Sequence, residues 1–217
     1  FDMIQIDHQE DGGSRADKYE RDAALLKDAL ENDKNNARYR FYLGDTYLAL
    51  GQKSLGQEIS KHEYFDKAIL EYKECIRLSN WNEEIYVSKL RSAFSMVLRG
   101  DDFRSVIGYF IDATLCRRTR LEAQYEIVKF FNEQKEYVAA YSMGKMANFL
   151  DSPNDDVLFV DWDVHAYKYV LELGKAAQEC MDLKLAYKCY LRVYDCKSTP
   201  EEVRDEVMEK IELITDQ

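Results

Sequence analysis

Residues 38–47 read Arg38-Tyr39-Arg40-Phe41-Tyr42-Leu43-Gly44-Asp45-Thr46-Tyr47, and this stretch decides the fold. Tyr39, Leu43, Thr46, Tyr47 and Leu50 fall three and four apart, the period of a helix with one buried stripe. Further on, Ala68, Tyr72 and Cys75 set a small, an aromatic and a small residue at steps of four and three. The same steps recur in Val106-Phe110-Ala113, Ala139-Met143-Met146 and Ala186-Tyr190-Val193. The small residue lets two helices approach, and the large one fills the gap to the next hairpin. Counted from the first residue of each set, the intervals are 38, 33 and 47 residues. A period in this range means stacked helical hairpins, with insertions where it stretches.

Arg40, Leu43, Gly44 and Tyr47 have the spacing of the first-helix signature of a tetratricopeptide repeat, and Ala68, Tyr72 and Cys75 that of its second helix. Arg40 stands where Trp is usual, and Asn80 replaces the usual Pro. The expected fold is therefore all-α, a tetratricopeptide-like superhelix of about four hairpins over residues 15–217. An unrelated all-α bundle is the alternative. Helix is expected from about Ala16 onward, with Gly51 as a C′ glycine. The polar residues 52–63 read as an insertion, and helix resumes at about Tyr64. Later helices are expected at about 102–115, 119–132, 135–149, 163–179, 182–195 and 200–214. A second insertion falls around 151–160. Thr199-Pro200-Glu201-Glu202 reads as a helix start with Thr199 as cap and Pro200 at the first helical position. Ahead of all this, Phe1, Ile4 and Ile6 suggest a short strand, and Gly12-Gly13 a turn, so residues 1–14 read as the end of a preceding domain.

The composition narrows the function classes. The chain has 217 residues with 30 Lys and Arg against 41 Asp and Glu, a formal charge of −11. That balance, without a basic tract, argues against nucleic-acid binding, which needs Lys and Arg on phosphates. Two prolines and nine glycines against 16 tyrosines and 10 phenylalanines favour long, packed helices. No apolar run reaches the roughly 20 residues of a membrane span. Five cysteines with no CxxC pair and three histidines argue against a zinc site and for reduced thiols, hence a cytoplasmic, reducing compartment.

Several strings carry a family resemblance. Arg38 to Tyr47 is similar to an R-x-x-FYLA-x-SY segment, and Trp81-Asn82-Glu83-Glu84-Ile85-Tyr86 to a W-x-EE segment. Tyr109 to Ala113 with Arg120-Leu121-Glu122-Ala123-Gln124-Tyr125 is similar to YL-x-A followed by R-x-EAL-Y. Tyr137 to Tyr141 is similar to Y-x-x-AY, and Pro153 to Val160 to P-x-x-x-x-LFV. His8 to Gly13 with Asp17-Lys18 and Arg21 to Leu26 is similar to an H-x-x-DG…K…RD-x-x-LL junction. Together, in order, they resemble glycosyltransferases of the family 2 type that carry a tetratricopeptide-like helical tail, cellular or large-virus. The resemblance implies a preceding α/β domain that holds a nucleotide sugar and a divalent metal on an Asp-x-Asp motif. His8 would then be a ligand or a diphosphate contact; in this chain by itself it reads as a loop histidine. No cofactor is expected in the chain itself, and it is not expected to be catalytic. Its role would be to support the catalytic domain, present an acceptor or mediate assembly, self-association included.

The alternative is a free-standing tetratricopeptide adaptor that binds a peptide or protein partner in its concave groove. Arg38, Arg40, Lys89 and Arg91 are the candidate cations for gripping a carboxylate there, and Tyr42 is one of the aromatic residues that could line the groove. Other constellations read as structural. Asp161-Trp162-Asp163 suits a helix cap better than a metal site, and Glu83-Glu84 suits a helix dipole. His165 reads as a packed or partly exposed helix residue. Arg117-Arg118-Thr119-Arg120 reads as a solvated basic cluster at a hairpin junction.

Overall fold

The computed structural model describes residues 18–54, 58–147 and 155–216. The expected strand and turn over 1–14, with His8, lie outside the described residues. Within them every regular element is helical: α1 (Lys18–Asn32), α2 (Ala37–Lys53), α3 (Glu58–Leu78), α4 (Asn82–Arg99), α5 (Phe103–Cys116), α6 (Glu122–Glu133), α7 (Tyr137–Gly144), a π turn (Val164–Lys168) running into α8 (Tyr169–Glu179), α9 (Leu183–Asp195) and α10 (Glu201–Thr215). No described helix is long and apolar enough to cross a membrane.

The helices pack in chain order. α2–α3, α4–α5, α6–α7 and α8–α9 form hairpins, bracketed by α1 and α10, and α2 also touches α4 as α6 touches α8. Such packing follows from the repeated triplets. Ala68, Tyr72 and Cys75 are fully buried, as are Phe110, Ala113, Ala186, Tyr190 and Val193. The core runs as three overlapping clusters, from α1 to α6, from α6 to α8, and from α8 to α10. Burying this much apolar surface, at about 25 cal/mol per Å², drives the stacking. Local signals set the boundaries. Asn36, Asp102 and Asp182 cap α2, α5 and α9 through backbone amides of Tyr39, Ser105 and Leu185. Gly100 ends α4 at φ 110°, a conformation that glycine adopts without steric cost.

Several expectations are corrected. Gly51 is not a C′ glycine; it lies inside α2, where a Cβ would stand 2.6 Å from the Phe65 ring. Close approach of α2 and α3 is its purpose, as it is for Gly44, whose Cβ would stand 2.7 Å from Tyr72. Helix resumes at Glu58 rather than Tyr64, since polar side chains are no bar to helix. The triplet at 139–146 is off by one residue. Ala140 and Gly144 are buried, whereas Met146 is 69% exposed, and α7 stops at Gly144. Thr199 does not cap α10. It is buried and its hydroxyl donates to the Val193 carbonyl at 2.7 Å, tying the end of α9 instead.

Candidate functional site

One face gathers the first turn of α4, the α5–α6 junction, the middle of α2 and the segment 155–163 that precedes the π turn. Glu83, at the start of α4, is buried. Its Oε2 accepts the backbone amides of Val157 and Leu158, both at 2.8 Å, across 74 and 75 residues of chain. From the other side Arg120 donates to the carbonyls of Leu158 at 3.1 Å and Phe159 at 3.0 Å. Glu122 accepts the amide of Asp161 at 3.1 Å. Asp156 is buried and takes hydrogen bonds from Arg117 (Nε, 2.6 Å) and Arg120 (Nη1, 3.4 Å). The segment therefore lies as a strap whose backbone is read by side chains of earlier hairpins.

Beneath the strap the polar groups satisfy one another. Arg120 has no solvent exposure. Its guanidinium binds Glu122 at 2.7 and 3.0 Å and sits 4.7 Å from the centre of the Tyr86 ring. Tyr86 donates to Glu122 Oε2 at 3.0 Å and accepts the Ala123 amide at 3.2 Å. Burial alone would raise the Glu122 carboxyl. Neighbouring His165 and Arg120 outweigh it and hold the group down to about 2. His165 Nε2 stands 3.4 Å from Glu122, and the Arg120 guanidinium binds the same carboxylate at 2.7 and 3.0 Å. Burial likewise opposes ionisation of Asp156, and the Arg117 guanidinium brings its carboxyl below the usual range. Burial and Glu122 push the Tyr86 hydroxyl well above its ordinary value.

Phe159 is the strap's outer anchor. Its ring lies 6.1 Å from Phe41 of α2 and 4.1 Å from the Arg91 guanidinium of α4. A bulky residue rarely adopts positive φ, and Phe159 stands at φ 49°. Its ring stays half in solvent, and Val157 beside it is exposed.

Of the five groove candidates Arg91 meets the strap, through Phe159, and all four cations have carboxylate partners. Arg38 pairs with Glu84 at 2.8 Å and lies between the rings of Trp81, at 4.8 Å, and Tyr42, at 5.9 Å. Arg40 pairs with Glu71 and Lys89 with Asp112, each at 2.8 Å. Arg91 pairs with Asp45, which also accepts the Tyr72 hydroxyl at 2.7 Å. Tyr42 is exposed and also lines a separate apolar hollow of about 450 Å³ with Leu25 and Leu26 of α1. The basic cluster at 117–120 is corrected. Among the described residues Arg120 is the largest fully buried side chain and Arg117 is part-buried, because the strap brings the Asp156 carboxylate to both and two carbonyls to Arg120. Asp161 does cap, its side chain accepting from the amides of Asp163 and Val164 at 3.1 and 3.3 Å.

Each carboxylate of the site is committed to an amide, a guanidinium or a hydroxyl. The described residues contain no group of three His, Cys, Asp or Glu placed to hold a metal ion. Sequence reasoning missed Tyr86, Arg120, Glu122 and Asp156 as a unit. The one available signal was that the strings at 38–47, 81–86, 120–125 and 153–160 had each stood out, and those strings meet here. No family model matches the chain, and no curated protein matches it.

Proposed function

We propose that the chain is the helical-repeat region of a family 2-type glycosyltransferase, a non-catalytic tail that supports a preceding catalytic domain, presents its acceptor or mediates assembly. One observation carries this reading. Four of the strings that resemble that family converge on one place through Phe41, Glu83, Arg120, Glu122 and Phe159. Residues that build one site have a reason to occur together in a family. Hairpins packed in chain order also support a tetratricopeptide-like superhelix, whose first helices would be α2, α4, α6 and α8. The adaptor reading loses its carboxylate clamp, since Arg38, Arg40, Lys89 and Arg91 are each paired within the chain.

The test is the intact mass of the polypeptide from its natural source, followed by turnover of nucleotide sugars with a divalent metal. A mass well above 25.5 kDa, with turnover that needs sequence ahead of Phe1, is the expected result. A mass at that value with no turnover refutes the transferase reading and leaves the adaptor.

A further inference from the structure

We propose that the cavity between α5, α6 and α7 is a binding site for an unbranched aliphatic carboxylate, with Arg118 on the carboxylate and apolar walls along the chain. The cavity measures about 400 Å³, within the roughly 300–1,000 Å³ of small-molecule sites. Ile111, Leu115, Met143 and Met146 supply apolar walls, and the polar lining is Thr114, Gln124 and Arg118. Two of those three are already engaged. The Thr114 hydroxyl donates to the Phe110 carbonyl at 3.0 Å, and the Gln124 amide donates to the Met143 carbonyl at 2.5 Å. Arg118 is exposed and has neither an ion pair nor a hydrogen bond among the described residues. Its neighbours differ, since Arg117 and Arg120 are both tied to Asp156.

An apolar cavity whose lining carries a single unpaired cation fits a ligand with an apolar body and one anionic end. The guanidinium matches a carboxylate in shape and in charge. A phosphate monoester, with a charge of about −1.5 to −2, would be left partly unneutralised beside one cation in a chain of formal charge −11. An unbranched body suits the walls. Met143 and Met146 have flexible side chains that shape themselves around a linear chain. Leu115 is 56% and Met146 69% exposed, apolar surface at the rim that such a chain would cover. This inference goes beyond the transferase reading and does not rest on it.

The experiment titrates octanoate and decanoate, each below its micellar concentration, into the full chain by calorimetry. Methyl signals of the protein labelled at methionine locate the binding. Decanoate should bind roughly tenfold more tightly than octanoate, as two further methylenes leave water. The methyls of Met143 and Met146 should shift while those of Met96 and Met208 stay. Arg118→Gln, a surface change that leaves the walls intact, should weaken decanoate at least fivefold and leave binding of decanol as it was. Leu115→Glu, which sets a carboxylate at the rim, should abolish decanoate binding. No binding of decanoate at millimolar concentration, equal affinity in wild type and Arg118→Gln, or shifts confined to other methionines overturns the proposal. Decanol bound by the wild type as tightly as decanoate overturns it too, since the cavity would then select no anion. Tighter binding of decyl phosphate than of decanoate would overturn the carboxylate class.

Discussion

Replacing Arg120 with alanine tests the central claim about the buried network. The side chain has no exposure and reaches Glu122, Asp156 and the carbonyls of Leu158 and Phe159. Its removal leaves Glu122 buried beside Tyr86 and His165 with no cationic hydrogen-bond donor, and leaves two strap carbonyls without partners. Removing one partner of a buried ion pair costs about 3–5 kcal/mol. That is a large share of the roughly 5–15 kcal/mol that holds a domain folded. For a chain of this size it corresponds to a fall in Tm of roughly 6–20 °C. Urea denaturation followed by helical circular dichroism gives the free energy. Glu122→Gln and the double variant Arg120→Ala/Glu122→Gln complete a cycle, with an expected coupling above about 1.5 kcal/mol because the residues touch. The amides of Val157, Leu158 and Asp161 should also lose exchange protection. A loss under about 1 kcal/mol, or additive variants, would refute the reasoning and make the network incidental to stability.

Three further outcomes follow from the same geometry. Glu122 is held at about 2 when folded against an ordinary 4.5, so its contribution is complete above about pH 4.5 and is lost as pH falls toward 2; the shift is worth about 3 kcal/mol, and the drop in Tm between pH 6 and pH 3 should be smaller in Glu122→Gln than in the wild type. Gly44→Ala puts a Cβ 2.7 Å from the Tyr72 ring, which its hydroxyl bond to Asp45 holds in place; overpacking of this kind costs about 1–3 kcal/mol, readable as a shifted urea midpoint. Burial pushes the Cys75 and Cys189 thiols up to about 12, so at pH 8 a thiol reagent should titrate these two only after unfolding, ahead of which Cys116, Cys180 and Cys196 react.

What was legible in the sequence was local. Arg38 to Tyr47 and the triplets at 68, 106 and 186 fix helix faces through spacing of three and four, and those faces are buried. The helix ends were harder. Gly51 reads as a stop by type, yet its hydrogen side chain serves the Phe65 contact, which depends on a residue in the next helix. The candidate site was least legible. Three arginines in four residues look solvated until Asp156 and the strap carbonyls arrive from more than 35 positions away. The bonds from Glu83 to Val157 and Leu158 span still more chain, and no period or motif encodes such a pairing. Each string is local; only folding brings them to one place.

The strap also alters how the array should come apart. In a row of hairpins each unit leans only on its neighbours, so stability sums along the row and either end can fray while the middle holds. Fastening residue 157 to residue 83 joins units that the stacking alone keeps separate. The hairpins between those points then lose their structure together, in one cooperative step. Such a closure also demands the meeting of distant chain segments, which slows the last stage of folding. The two ends outside the fastened stretch, α1 and α9–α10, are left as the parts that melt first.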